Sequence, residues 1–208
     1  MEIGRGELMS KLVAKGAEAD VYEGKLAGTR VMRKIRKSKA YRVKALDEKI
    51  RLSRTRKEAR LLHSAKEAGV RCPLVLSVRR YEIAMSKLDG RLMMKVDART
   101  AEQVCASAGT LLATLHSAGI SHGDYTPANI VIRKGEAWII DFGLGEFTLD
   151  DEDFATDILL MKKSLSKRAY SKFKKAYCRS RGKRAGATLE RLVEIEKRGR
   201  YVVRGALA

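Results

Sequence analysis

The start of the chain has the alternation of apolar and polar positions expected of half-buried strands. Leu12 to Tyr22 holds two short β-prone runs about a turn centred on Gly16. Gly28 to Ile35 alternates again, with Val31, Arg33 and Ile35 on one face and Met32 and Lys34 on the other. From about Leu46 to Ala68 the period lengthens to that of a helix, with Ile50, Leu61, Leu62 and Ala65 as its apolar points. Gly69, with Pro73 beyond it, predicts where that helix stops. Strands are predicted at Leu74 to Val78 and Tyr81 to Met85, a turn at Asp89-Gly90, and a further short strand at Arg91 to Val96. Ala101 to Ala118 is Ala/Leu-rich and helical. Ile130 to Ile132 and Ala137 to Ile140 pair as strands around Lys134-Gly135. Beyond Asp153 the pattern is mainly helical.

A strand-rich first part with one helix, then a helix-rich second part, defines an α+β chain without internal repeats or a long linker. The expected division falls near Ser86 to Gly90, a hinge rather than a tether. It separates an N-terminal lobe, residues 1–88, from a helical C-terminal lobe with a basic tail, residues 89–208.

Two short strings dominate the candidate chemistry. His122-Gly123-Asp124 leads to Asn129 five positions after the Asp, and Asp141-Phe142-Gly143 follows twelve residues after that Asn. In kinase-type phosphoryl transfer an Asp, an Asn and a DFG Asp at these spacings act as the base and the two metal ligands. Asp124 is therefore the candidate base, and Asn129 and Asp141 the candidate ligands of Mg²⁺, with Mn²⁺ as the alternative metal. Lys34, on a strand face shared with Met32, can reach the phosphates of ATP, and Glu58 on the next helix can pair with it. Gly16-Ala17-Glu18-Ala19 lies where a phosphate-covering loop belongs, although it is neither GxGxxG nor a Walker A loop. An acid there is unfavourable beside a triphosphate unless it meets a metal or Lys34.

With these strings in place, the chain resembles the small atypical kinases of the KEOPS complex, relatives of the RIO kinases. The resemblance covers nearly the whole chain. It rests on Gly16-Ala17-Glu18-Ala19, on Lys34-Ile35-Arg36 leading to Tyr41-Arg42, on Leu46-Asp47, and on Arg54-Thr55-Arg56-Lys57-Glu58-Ala59-Arg60-Leu61-Leu62. Further support comes from His122-Gly123-Asp124, from Asp141 to Gly145, and from the ending Arg198-Gly199-Arg200. It implies a reduced, bilobal protein-kinase-like fold with a short activation segment. Carried over by position, Lys34 is the phosphate lysine, Glu58 its helix partner, Asp124 the catalytic Asp, and Asn129 and Asp141 the metal ligands. Met85, Ser86 and Leu88 would face adenine at the hinge, with Ile140 as part of its floor. The family is similar to protein kinases but acts mainly as an ATPase beside a threonylcarbamoyl-transferase subunit, in making threonylcarbamoyladenosine in tRNA. The chain departs from its pattern at Thr126-Pro127-Ala128, where a Pro resembles aminoglycoside and choline kinases.

Two features favour ATP hydrolysis over signalling. Gly123 stands where many kinases carry an Arg that reads a phosphorylated activation loop. Fifteen residues separate Asp141 from Asp157, which is expected to anchor the following helix, so little chain remains for such a loop. The expected activity is thus a kinase-fold ATPase with weak Ser/Thr kinase activity. An authentic Ser/Thr protein kinase, an RNA-binding scaffold with a structural ATP site, and a small-molecule phosphotransferase are the alternatives.

Charge adds a partner. The 208 residues include 44 Lys and Arg against 25 Asp and Glu, a formal charge of +19, which points to a polyanion. Arg30 to Arg60 holds fourteen basic residues and three acids, and Arg179 to Arg204 holds nine and three. With Tyr41, Tyr177 and Tyr201 the nearest aromatics, contact with a tRNA backbone is expected more than base reading. The tail is expected to contact RNA; the alternative is a solvated amphipathic helix that includes Leu189, Leu192, Val193 and Glu196. Cys72, Cys105 and Cys178 form no CxxC pair, no apolar run suits a membrane span, and the N-terminus has no signal-like segment. A reducing cytoplasm is expected.

Overall fold

The computed structural model describes the backbone of residues 11–205 and the side chains of residues 11–198. Strands β1 (Lys11–Lys15), β2 (Ala19–Leu26) and β3 (Thr29–Arg36) precede helix α1 (Lys44–Glu67), and β4 (Val75–Arg79) and β5 (Glu82–Ser86) follow it. These strands form one antiparallel sheet in the order β1-β2-β3-β5-β4. Its register places Met32 opposite Met85 and Lys34 opposite both Val21 and Ile83, so all five share one face. That face meets α1.

The buried stripe of α1 includes Thr55, Glu58, Ala59, Leu62 and Ala65, a helical spacing of three and four in which two positions are polar. The helix ends as expected at Gly69. In its left-handed conformation (φ 82°), the Gly69 N–H donates to Lys66 O at 3.0 Å and the Val70 N–H to Ala65 O at 2.9 Å.

The second half contains β6 (Arg91–Leu92), α2 (Ala98–Ser117), β7 (Ile120–Ser121), β8 (Ile130–Arg133), β9 (Glu136–Ile139) and β10 (Glu146–Phe147). Helices α3 (Asp151–Ser164), α4 (Lys167–Arg181) and α5 (Ala185–Gly205) complete it. The strand expected over Arg91 to Val96 is two residues long, because Met93 turns inward as a 3₁₀ turn begins and buries itself in the core. Two small sheets, β6-β8-β9 and β7-β10, flank the loops that carry the two strings. Leu112 and Leu115 of α2 and Phe173 of α4 are among the largest fully buried side chains, alongside Phe142 and Phe154. The Tyr125 hydroxyl donates to Ala108 O of α2 at 2.8 Å, tying the candidate base's neighbour to this core.

Tyr177, one of the aromatics nearest the basic stretches, is fully buried, and its hydroxyl lies 2.9 Å from His116 Nδ1. Tyr41 is exposed. The side chain of Tyr201, like Gly199 and Arg200 of the ending, lies outside the described residues. In α5, Leu192 is buried against the core while Val193 and Glu194 face outward, as an amphipathic helix requires.

Candidate active site

Strand β3 delivers Lys34 to the α1 side of the sheet. Its Nζ donates to Glu58 Oε1 at 2.7 Å and to Asp141 Oδ1 at 2.5 Å. Glu58 is buried rather than a surface partner of its helical neighbours, with a side chain 1% exposed. Its other oxygen accepts from Arg36 Nη2 at 2.5 Å, and Arg36 is itself buried. One carboxylate therefore faces two cations inside the lobe, and a third acid, Asp141, approaches Lys34 from the second half.

Asp141 is half-exposed and takes a left-handed backbone (φ 63°), uncommon for a residue other than Gly. The Gly143 N–H donates to its Oδ1 at 3.0 Å, which helps hold that conformation. Desolvation would raise its pKa, but the Lys34 ammonium, through its charge and hydrogen bond, holds the carboxyl below its ordinary value. It is an anion at neutral pH.

The second cluster surrounds Asp124. Asn129 Nδ2 donates to Asp124 O at 2.9 Å and to Asp124 Oδ2 at 2.8 Å, so the amide is oriented and its Oδ1 faces away from Asp124. Pro127 opens the 3₁₀ turn Pro127–Asn129, where its missing N–H costs nothing.

Ile140 joins the two clusters. Its N–H donates to Asn129 O at 2.9 Å, and its carbonyl lies 3.1 Å from His122 Nε2. The Asp124 N–H donates to His122 Nδ1 at 3.3 Å, which fixes the tautomer with the proton on Nε2, donated to Ile140 O. The buried His122 ring thus bridges the loop of Asp124 to the strand leading into Asp141.

Beneath this loop sits Asp157, expected from the sequence to anchor the following helix. It sits within α3, fully buried, and also holds the loop that carries Asp124. Its Oδ2 accepts from the His122 N–H at 2.7 Å and lies 3.2 Å from His116 Nε2, while Oδ1 accepts from the Gly123 N–H at 2.8 Å. Gly123 has φ 76°, and a Cβ there would lie 2.3 Å from Leu144 O. No larger residue fits at this position without moving backbone.

Of the remaining candidates, Met32 and Met85 lie side by side on the Lys34 face of the sheet. The Ser86 N–H donates to Leu74 O at 2.8 Å, and its hydroxyl accepts from the Leu74 N–H at 2.9 Å. Leu88 follows where the sheet has ended, partly buried. Gly16, Ala17 and Glu18 form the β1–β2 turn and Ala19 opens β2, with the Gly16 N–H donating to Ala19 O at 3.0 Å. Glu18 does not meet Lys34; it turns to Arg54 at 2.8 Å. Arg36, His116, His122 and Asp157 join the cluster in addition to the residues expected from the sequence. The signal for Asp157 was its distance from Asp141, and for Arg36 its place two residues after Lys34, one strand period on.

A Lys–Glu–Asp cluster hydrogen-bonded to an Asp–Asn loop is the arrangement of a protein-kinase-like phosphotransfer site. Residues 22–177 match the RIO domain family. A probable bifunctional tRNA threonylcarbamoyladenosine biosynthesis protein of Methanothermobacter thermautotrophicus is 41% identical over 94% of this chain, which spans 37% of that protein's length. The KEOPS complex subunit Bud32 of Pyrococcus abyssi is 36% identical over 92% of this chain and 96% of its own length. The chain belongs to the RIO domain family and, within it, to the Bud32 type. Among solved structures, the Rio2 kinase–ADP/Mg²⁺–phosphoaspartate complex of Chaetomium thermophilum superposes with a TM-score of 0.65, at 21% identity over 86% of this chain and 65% of that one. WaaP in complex with acyl carrier protein gives 0.62, at 16% identity over 91% of this chain and 89% of that one. Both share the kinase-like fold.

The residues present fit a Mg²⁺ ion held jointly with phosphate. Among the described residues no three His, Cys, Asp or Glu side chains gather to hold a metal by themselves. One carboxylate and one oriented amide match an ion that keeps waters and takes its remaining ligands from substrate.

Proposed function

We propose that the chain binds ATP with Mg²⁺ between its two halves and hydrolyses it as the kinase-fold subunit of a KEOPS assembly, in support of threonylcarbamoyladenosine formation in tRNA. The observation carrying this reading is the Lys34–Glu58–Asp141 cluster, joined through Ile140 and His122 to Asp124 and Asn129. Lys34, held by Glu58, would neutralise the phosphates. Asn129 and Asp141 would hold the metal, which neutralises charge on the leaving phosphates when bound. Asp124, with Oδ2 already accepting from Asn129, would offer Oδ1 to the proton of a water or hydroxyl. Met32, Met85, Ser86, Leu88 and Ile140 would enclose the adenine, and Gly16 to Ala19 would cover the phosphates. The relatives' names support the assembly, and the threonylcarbamoyl-transferase subunit is the partner that the family resemblance implies.

The basic surface supports tRNA as the polyanion. Lys49, Arg56 and Arg60 of α1 line an open groove of about 620 Å³ whose other wall includes Val78 of β4. Among the described residues no helix is long and apolar enough to cross a membrane. Weak Ser/Thr kinase activity would follow from the same site when a hydroxyl replaces water.

The test is ATP turnover by the purified chain, with and without tRNA and the transferase subunit. Stimulated phosphate release, lost by about 10²–10⁴-fold in Asp124→Ala, is expected. Protein phosphorylation outpacing phosphate release would favour a signalling kinase. Normal tRNA modification by Asp124→Ala would leave the ATP site a structural role only.

A further inference from the structure

Glu18 poses a physical problem in the site proposed above, because a carboxylate on a phosphate-covering loop repels the triphosphate if it faces the cleft. The structure turns it the other way. Glu18 Oε2 lies 2.8 Å from Arg54 Nη1 on α1, and Oε1 lies 3.7 Å from Arg42 Nη2 in the β3–α1 connection. The same connection also holds the loop's backbone. The Lys37 N–H donates to Glu18 O at 3.1 Å, and Lys39 Nζ donates to Ala17 O at 2.6 Å.

Arg54 is not an arbitrary surface cation. It lies one helical turn ahead of Glu58, and its carbonyl accepts from Arg36 Nη2 at 3.4 Å. Arg36 in turn binds Glu58, which binds Lys34. Arg42 stays close to α1 as well, 3.7 Å from the buried Asp47. The loop, the helix and the phosphate lysine are thereby joined through a chain of ion pairs and the Arg54 carbonyl.

We infer that Glu18 is a positioning residue: its carboxylate latches the Gly16–Ala19 loop to Arg54 and Arg42 of the α1 side, so that the loop is set over the triphosphate before nucleotide arrives. Preorganisation of this kind appears in nucleotide affinity rather than in the chemical step. The inference rests on the loop covering ATP, and the two can fail separately.

The sign of one substitution separates the latch from simple repulsion. Glu18→Gln removes the latch and weakens ATP binding; if the carboxylate instead faced the triphosphate, removing its charge would tighten binding. The pair is partly exposed, each side chain 44%, so the expected effect is modest, about three- to fivefold. The experiment measures ATP Kd by calorimetry and KM and kcat for hydrolysis on the full chain, for wild type, Glu18→Gln, Arg54→Gln and the double variant. The expected result is that each single change raises Kd and KM about three- to fivefold with kcat within about twofold, and the double change does no more than either. Tighter or unchanged binding by Glu18→Gln overturns the latch. Multiplying effects in the double variant overturn it too, since Arg54 would then act on nucleotide by itself. A fall in melting temperature with Kd and KM unmoved reduces the pair to fold stability and also overturns it. Failure of the wild type to bind ATP would defeat the functional reading instead.

Discussion

Replacing Glu58 by Gln tests the interior of the site most severely. The carboxylate is 1% exposed and faces Arg36, 5% exposed, and Lys34, 11% exposed. Gln keeps the shape and can accept one hydrogen bond, but it neutralises neither cation. Lys34 retains Asp141, so Arg36 becomes the cation left without a counter-charge. Removing one member of a buried ion pair costs about 3–5 kcal/mol, and the hydrogen bond retained by Gln places this case near ~3. For a chain of this length that lowers the melting temperature by about 6–12 °C. The assay is urea denaturation of wild type, Glu58→Gln, and Glu58→Gln combined with Arg36→Met, with ATP turnover measured on each. The second substitution removes the orphaned cation and should recover at least about half of the lost stability, as replacing whole buried ion pairs by apolar groups does. It should not recover turnover, because Lys34 still lacks its helix partner. A Glu58→Gln variant within about 1 kcal/mol of wild type, or a double variant less stable than the single, would refute the account of one acid shared by two cations.

Three further outcomes are expected. Gly123→Ala places a Cβ 2.3 Å from Leu144 O at φ 76°, and should cost about 2 kcal/mol or more in urea melts while lowering kcat; a neutral substitution would mean this contact is soft. Asp157→Asn has one acceptor oxygen for the two N–H groups of His122 and Gly123, so it should lose about 1–3 kcal/mol and lower kcat with ATP Kd unchanged, as kinetics and calorimetry would show. Burial, opposed by Asp157, holds the pKa of His116 below the ordinary 6.5. The native state keeps His116 neutral while the unfolded chain takes up a proton below about pH 6.5, so stability falls as pH drops below that value, by up to ~1.4 kcal/mol per unit. Denaturation from pH 7 to 5 should show a shallower slope in His116→Gln, and equal slopes would refute the assignment.

The strands and hairpins were legible because their signals are local. Lys34 and Met32 alternate with Val31 and Arg33, and Lys134-Gly135 turns one strand into the next as expected. The spacing of Asp124, Asn129 and Asp141 pointed to kinase-type chemistry without the fold, and the structure brings the three together around Ile140. What stayed hidden depends on partners distant in sequence. Arg36 looks like one more cation in a basic stretch, and only Glu58, 22 residues on, makes it a buried one. His116 and Asp157 are 41 residues apart, and neither belongs to a recognisable string. A Tyr beside Lys175 and Arg179 looks superficial along the chain, whereas α4 turns Tyr177 inward to His116. The weak periodicity of α1 has a physical cause as well, since Thr55 and Glu58 occupy the buried stripe that apolar residues would otherwise mark.

Gly123 changes meaning once these distant contacts are known. Read along the chain, it is an Arg that is missing, and with it a route for phosphorylation to control the loop. In three dimensions its N–H is bound to Asp157, and Leu144 O closes the space a side chain would need. The same position therefore cannot hold a regulatory side chain and the present packing together. Asp157 does from within what a phosphate bound by such an Arg does from outside, namely fix the backbone leading into Asp124. Because that acid is fully buried and His116 borders its far side, no solvent ion can substitute for it or displace it. The loop that carries Asp124 is thus set by folding itself. The adjustable parts of the site are then the ones nearer solvent: the half-exposed Asp141 and the Glu18 loop, both tied through charged contacts to α1 and its neighbouring cations.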